Sequence, residues 1–533
     1  MANALPSQIY DQFKGIREYN GINHSGQISA LSCKNVELFK SDIGNGTGIR
    51  TVAGDKLMFE LPTGYKAIKN FSFAPSGSTY MIIYGESEAD DRGALFIYDV
   101  YGLIYELETT EESFKFDVTG ECNGITMAYG DFDIFVFTNG KQAVTLKITG
   151  YDIENKKVRT EIKQIKAKWS KTHSEADEVP LTWLSMAEWN GQLVVASQFG
   201  VNASHKNDIY TWNDIANGVE DSWYIEFGKK VTAVVTFSTG LFIFTDKDCS
   251  HLNTTPNDTT NARLQNVAMN GCFSFESIVA HETYLFFYDD NQKGIYYIQM
   301  TDTGQTRPTG SVSKEIQSFL TESIQTFKMY SCVYSTYNEI WLLINDKIVI
   351  YDYANQEFIE RKMHKITGLC MYSNRPCVCS DNKILAEKMS ETFSGTYYGA
   401  EYTTSIINMG SNTNLKKQKT PILLVLNENE INNFYVELTA NFKTKNPKKI
   451  VLKVGNEGIW ASDDDVDVTS NMLWDSMNWA SEDSYKKRVV EISTTQTWYT
   501  MSIRFYTENE GEGFSIVAME LKRLKEKTKT KGR

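Results

Sequence analysis

Apolar residues in this chain come in short unbroken runs, and the runs come in pairs. Tyr80-Met81-Ile82-Ile83-Tyr84 is followed, after an acidic loop, by Leu95-Phe96-Ile97-Tyr98-Asp99. Ile134-Phe135-Val136-Phe137 leads through Thr138-Asn139-Gly140-Lys141 to the run from Ala143 to Ile148. The same plan returns with Leu193 to Ala196 and Ile209 to Trp212, with Leu241 to Phe244 and Cys249 to Leu252, and with Leu285 to Tyr288 and Ile295 to Ile298. It returns again with Ile340 to Leu343 and Ile348 to Asp352, and least regularly with Pro376 to Cys379 and Lys383 to Leu385. Each pair reads as two strands joined by turn residues.

The leading runs recur at intervals of roughly 36 to 59 residues, near the length of a four-stranded propeller blade. A further candidate strand precedes most pairs (Ile68 to Phe73, Ile125 to Ala128, Val231 to Phe237, Ser277 to Ala280, Met329 to Tyr334). Another follows some of them (Ile104 to Leu107, Phe358 to Lys362). A run such as Leu-Phe-Ile-Phe is apolar on both faces, as expected of a strand covered on both sides by neighbouring blades; a half-exposed sheet would alternate. The expected fold is all-β: a β-propeller of about seven blades over 61–395. One or two large β-sandwiches would use the same strands without the fixed spacing.

The ends depart from the repeat. Residues 1–60 are rich in Gly, Asn and Ser, with Gly44, Gly46, Gly48 and Gly54 close together, and read as extended chain that could supply a ring-closing strand. Residues 396–533 carry longer alternating strands (Tyr402 to Asn408, Pro421 to Leu426, Phe434 to Phe442, Lys449 to Val454, Tyr499 to Tyr506, Phe514 to Leu524), which predict a separate β-sandwich-like domain.

Composition agrees with strands: aromatic residues are 13% of the chain and only 9 of its 533 residues are proline. No apolar run is long enough for a membrane-spanning helix, and no secretory signal pattern opens the chain. The net charge of -13 argues against a protein that grips a DNA backbone. The tail runs the other way: Lys522 to Arg533 holds seven Lys/Arg and one Glu, and reads as a solvated, frayed end. The eight cysteines form no CxxC and are expected to be free, buried thiols. Cys377 and Cys379 share one side of a strand near Cys370 and His364, in a spacing that matches no common zinc pattern. Asp463, Asp465 and Asp467 could offer alternate carboxylates to calcium, but the glycine and the closing glutamate of a calcium loop are missing. No nucleophile elbow, phosphate loop or zinc-protease motif occurs, so neither catalysis nor a cofactor is expected.

Two stretches carry a family resemblance. Asn20-Gly21-Ile22-Asn23, Ser32-Cys33-Lys34-Asn35-Val36, Gly46 to Arg50 and Gly54 are similar to the entry segment of short-tailed phage structural proteins. Tyr402-Thr403-Thr404, a basic turn at Lys416, Lys417 and Lys419, the pair Trp474 and Trp479, and the last strands Ser502 to Tyr506 and Phe514 to Leu521 resemble the second domain of such chains. The chain thus resembles the podovirus tail hub or nozzle, the packaged-DNA stabilisation protein family. That resemblance implies a virion protein assembled in the bacterial host cytoplasm, as a ring of identical subunits, commonly six. The ring would bind an adaptor below the portal, carry spikes or fibres, and let double-stranded DNA pass without sequence-specific contact. The candidate interaction residues are the basic turn, the tryptophan pair, and Lys522, Arg523 and Lys525 of the tail. Two other readings stay open: a cellular propeller scaffold that binds proteins on one face, and a carbohydrate-active propeller enzyme.

Overall fold

The computed structural model describes residues 8–527 apart from 18–26, 42–45, 100–101, 108–114, 153, 155–156, 167, 170–178, 181, 198–199, 213–221, 255–263, 301–305, 322, 335–336, 391, 409–414, 419–420, 428–429, 442, 445–447, 453–486, 493–496 and 522–523. The described chain is nearly all antiparallel sheet, with one short α-helix at Gln317–Thr321. It divides into two compact units. One comprises Lys56–Asp346 and His364–Glu387, the other Met1–Asp55, Lys347–Met363 and Lys388–Arg533.

The first of these units is a succession of four-stranded sheets, each in up-and-down order. The first sheet holds Lys66–Phe73, Tyr80–Ser87, Arg92–Tyr98 and Ile104–Glu106. Four more begin at Asn123–Tyr129, Met186–Trp189, Val231–Phe237 and Ile278–His281. The hairpin Phe327–Tyr334 with Tyr337–Ile344 follows, and then a sheet of Gly368–Tyr372, Arg375–Ser380 and Lys383–Ser390. Local chemistry sets the hairpins. Asn190 and Gly191 both take positive φ, 54° and 75°, as do Ser373 and Asn374, 48° and 61°. Left-handed pairs of this kind match the twist of the strands they join.

The unbroken apolar runs are the inner strands of these sheets. Every residue of Tyr80–Ser87 and of Gly240–Thr245 is buried. The apolar cores lie between consecutive sheets: Ile82 and Tyr84 of the first meet Phe135 and Phe137 of the second, and Phe242 and Phe244 of the fourth meet Leu285 and Phe287 of the fifth. The leading strands follow one another in contact: Asn123–Tyr129 touches Met186–Trp189, which touches Val231–Phe237, and Ile278–His281 touches Phe327–Tyr334, which touches Gly368–Tyr372. Gly368–Tyr372 then packs back on Lys66–Phe73 of the first sheet. The arrangement is propeller-like.

Two local expectations change, and the strand expected from the N-terminal segment is found. Ile209 to Trp212 is not a strand: Gln192–Ser197 pairs with Gly200–Ala203 instead, and the chain turns at Asn207 (φ 57°) so that Ile209 and Trp212 plug the core beside Leu193 and Val195. The least regular repeat, around Pro376, is a complete sheet, because Gly54–Glu60 supplies its fourth strand. The N-terminal segment read as extended chain is strand over Gln8–Tyr10, Gln12–Ile16, Gln27–Lys34, Val36–Lys40 and Thr47–Thr51.

In the second unit both chain ends share their sheets. Ile422–Asn427 lies between Lys487–Ile492 and Ser515–Leu521, and Ser515–Leu521 also pairs with Gln8–Tyr10 and with Thr47–Thr51. Asn432–Ala440 lies between Lys448–Leu452 and Met501–Tyr506; Met501–Tyr506 pairs with Glu401–Thr404, which pairs with Gln27–Lys34. Burial strictly alternates along Asn432–Ala440, the mark of a strand with one covered face, in contrast to the fully buried strands of the other unit.

Candidate functional site

Several of the described residues on which the resemblance to phage tail proteins rests help pin the unit built from the two chain ends. Asn35 is 1% exposed and sits at φ 51°, a left-handed conformation that asparagine tolerates better than most residues. Its Nδ2 donates to the carbonyls of Tyr398 (3.2 Å) and Gly399 (3.4 Å), and its Oδ1 accepts the amide of Lys362 at 2.9 Å. One side chain thus ties three stretches of sequence together. Arg50 donates from Nε to Glu37 (2.6 Å) and from Nη1 to Glu430 (3.2 Å) and lies over the Phe39 ring. A Cβ on Gly48 would reach within 2.5 Å of that same ring, and one on Gly54 would strike the Thr392 carbonyl, so the glycines are there for close approach. Tyr402 is fully buried, and its hydroxyl lies 2.9 Å from the carbonyls of both Lys14 and Ile28. Arg504 donates to Glu401 (2.6 Å) and Glu437 (3.2 Å) across adjacent strands. Burial pushes the Glu401 carboxyl up, but Arg504 and Lys34 outweigh it and the group ends below its ordinary value.

The propeller-like unit contains a cavity of about 330 Å³, lined by residues of several leading strands. A three-membered ion cluster borders it, with Lys69 and Glu276 in the lining. Lys69 and Lys328 each place Nζ 2.9 Å from a different oxygen of Glu276, with side chains only 12%, 19% and 14% exposed respectively. Lys69 also stands 5.5 Å from the ring centroids of Phe71 and Phe275. Burial works to raise the Glu276 carboxyl, yet the two ammonium groups overcome it and hold the group below its ordinary value. Beside the cluster, Asn70 is 1% exposed; its Nδ2 donates to the Cys377 carbonyl at 2.8 Å, and its Oδ1 has no hydrogen-bond partner among the described residues. Sequence reasoning missed this cluster. Its only trace was a lysine inside or next to an otherwise apolar leading run, at Lys69 and Lys328.

The expected interaction residues fare differently. The basic turn is in fact strand over Leu415–Gln418, paired with Thr497–Trp498 and with Leu524–Lys527. Lys416 is fully buried: its Nζ donates to the Tyr499 carbonyl at 3.0 Å and rests over the Trp498 ring, so it is not a surface contact. A lysine stem packs well in an apolar layer when its amine finds an acceptor. Lys417 and Lys525 are cross-strand partners in the same small sheet, so the tail is strand rather than frayed through Leu524–Lys527. Lys419, Lys522, Arg523, Trp474, Trp479 and the acidic trio Asp463, Asp465 and Asp467 lie outside the described residues.

All eight cysteines are free thiols, seven of them buried. Cys377 and Cys379 both face the apolar layer between the last sheet and the first, against Ala67 and Met81. Burial pushes the Cys377 thiol up to about 12, and no nucleophile is prepared there. Among the described residues no helix is long and apolar enough to cross a membrane.

No protein-family model matches the chain, and no curated protein matches it. Among solved structures it is similar to the extracellular domain of the hybrid two-component system BT4673 from B. thetaiotaomicron, at 9% identity and a TM-score of 0.38, covering 63% of this chain and 39% of that one. It is also similar to BBS1N in complex with ARL6DN (11% identity, TM-score 0.36, covering 64% of this chain and 98% of that one). The N-terminal domain of Nup159 is a third (10% identity, TM-score 0.33, covering 67% and 99%). The chain spans about two fifths of the first of these structures.

Proposed function

We propose that this protein is a structural subunit of a short phage tail, the hub or nozzle that retains packaged double-stranded DNA and conducts it at infection. In this reading the four-stranded sheets form a seven-bladed propeller, and the unit built from the chain ends is a β-sandwich-like domain. Neither has a catalytic task. The observation that carries the reading is where the resembling residues lie. Asn35, Gly48, Arg50, Gly54, Tyr402 and Arg504 come from the two chain ends and serve together as the hydrogen bonds and close contacts of a single unit. A resemblance spread over both ends is what a shared structural plan would leave, because the strands that carry those residues pair with one another.

The connectivity also suits a load-bearing part. The chain passes between its two units four times, after Asp55, Asp346, Met363 and Glu387. Neither unit can be pulled away as a bead on a single linker. The chain's strands pair with partners more than 300 residues away, as Gln8–Tyr10 does with Ser515–Leu521. The net charge of -13 favours a wall along which phosphates slide rather than one that holds them.

The deciding experiment is native mass spectrometry of the full chain, with negative-stain electron microscopy of the same sample. The reading expects a closed ring, with six copies of the 60.6 kDa chain favoured, alone or once the adaptor is added. A chain that stays monomeric in both conditions overturns it and leaves the protein-binding scaffold as the reading to test.

A further inference from the structure

We infer that the outer strand of the second four-stranded sheet is a docking surface for the acidic segment 455–484 of a second copy of this chain. The contact deepens the ring reading above and rests on it only in that copies of the chain associate. Residues 156–171 hold seven Lys/Arg and one Glu, in a chain whose net charge is -13. Within them, Lys157–Ile165 is the outer strand of its sheet and pairs with Ala143–Asp152. Its side chains alternate. Val158 and Ile162 are buried in the core shared with the first sheet, while Lys157, Arg159, Glu161 and Lys163 form one exposed row. On the neighbouring strand Lys147 stands opposite Glu161 and Asp152 opposite Lys157, whereas Arg159 and Lys163 face only Gly150 and Thr145. Lys147, Lys157, Arg159 and Lys163 make no ion pair among the described residues. The hairpin thus presents four cations against two carboxylates.

Three of these cations are seated on aromatic rings. The ammonium of Lys147 lies 3.5 Å from the Phe132 ring centroid, that of Lys163 3.9 Å from Tyr210, and that of Lys157 5.4 Å from Tyr105. The rings are fixed in turn: the Tyr210 hydroxyl is 2.7 Å from the Thr145 hydroxyl, and the Tyr105 hydroxyl accepts the Val158 amide at 2.6 Å. Lysines on an outer strand often serve only to keep other sheets away. Such lysines swing freely in water, whereas one seated on a ring has already lost much of that freedom and pairs with a carboxylate at lower entropic cost. The occupant follows from charge. Residues 455–484, which lie outside the described residues, hold eight Asp/Glu and no Lys/Arg, so they carry -8 of the chain's -13. They also bring Trp460, Trp474 and Trp479 to a surface with an exposed ring, Phe132. A basic surface and its acidic complement at different places in one chain make a head-to-tail contact, the kind from which rings close.

Two variants of the full chain test this by native mass spectrometry at low ionic strength. The strand variant carries Lys157→Gln, Arg159→Gln and Lys163→Gln, all at exposed positions. The segment variant has the eight acidic residues of 455–484 replaced by Asn or Gln. Each alone should stay monomeric, and their equimolar mixture should form a one-to-one complex, because together they keep one intact contact. In fluorescence anisotropy a labelled peptide of residues 455–484 should bind the segment variant saturably. It should bind about tenfold weaker when the strand is neutralised as well, the sum of three exposed ion pairs, and so should a peptide with its acids amidated. A strand variant that assembles as the natural chain does overturns this contact and leaves the ring reading standing. Natural assemblies that break in the strand variant but never close into a ring support this contact and overturn the ring reading. Equal binding of the two peptides, or no complex in the mixture, overturns the proposal. So does a natural chain that stays monomeric while the peptide binds the segment variant, since the occupant is then not a second copy. Displacement of the peptide by duplex DNA at lower concentration also overturns it, making the strand a phosphate-binding surface.

Discussion

Replacing Asn35 by alanine tests how the two chain ends are held together. The side chain makes three hydrogen bonds, to Lys362, Tyr398 and Gly399, and its backbone sits at φ 51°. Alanine removes the acceptor of the Lys362 amide, a part-buried hydrogen bond whose loss costs about 1 kcal/mol, and the partner of two carbonyls, at about 1 kcal/mol. It also places an ordinary β-carbon in the left-handed region, for about 1 kcal/mol more. The expected loss is about 3 kcal/mol. Glycine loses the same hydrogen bonds but relieves the backbone, so Asn35→Gly should be about 1 kcal/mol less damaging than Asn35→Ala. Urea unfolding followed by tryptophan fluorescence gives the two losses. Hydrogen exchange at the Lys362 amide gives the local effect, a fall in protection in both variants. The reasoning fails if alanine costs under about 1 kcal/mol, or if the Lys362 amide keeps its protection.

Three further outcomes are expected. Glu276→Gln should lower stability by about 3 kcal/mol in anion-free buffer, because it leaves Lys69 and Lys328 facing one another without an answering charge; a thermal melt measures this. Because the folded state holds the Glu276 carboxyl below its ordinary value, its contribution is complete above about pH 4.3 and is lost as pH falls through the depressed folded value. The acid limb of the natural chain should therefore be steeper than that of Glu276→Gln, and parallel limbs would contradict it. Gly368→Val should cost about 2 kcal/mol or more, since even a Cβ there would sit 2.6 Å from the Lys69 Cα where the last sheet packs on the first; chemical denaturation decides it. Iodoacetamide at pH 8 should leave the seven buried thiols unmodified until the chain unfolds, because burial raises groups such as Cys249 and Cys379 well above the ordinary thiol range; rapid labelling of the native chain, read by mass spectrometry, would refute this.

The sequence by itself determined the strands and the way each is covered. Tyr80–Ser87 reads as an unbroken run because sheets pack on both its faces, while Asn432–Ala440 alternates because only one of its faces is covered. These signals are local and survive in a window of a few residues. Turn chemistry is local too, and Asn190-Gly191 marks its hairpin in the same way. What only the tertiary structure decided involves partners far apart. That the N-terminal segment could lend a strand was legible, but its place, Gly54–Glu60 in the sheet of Lys383–Ser390, is fixed by an edge some 300 residues later. Lys69 and Glu276 are 207 residues apart, and a lone charge in a strand looks like a solvated face until its partner is seen. Lys416 misled for the same reason: a run of lysines suggests a surface, but the carbonyl of Tyr499 and the ring of Trp498 make a buried amine affordable at that one position. Hydrophobic periodicity reports how a strand is covered. Which polar group is satisfied, and by whom, depends on contacts that no local window contains.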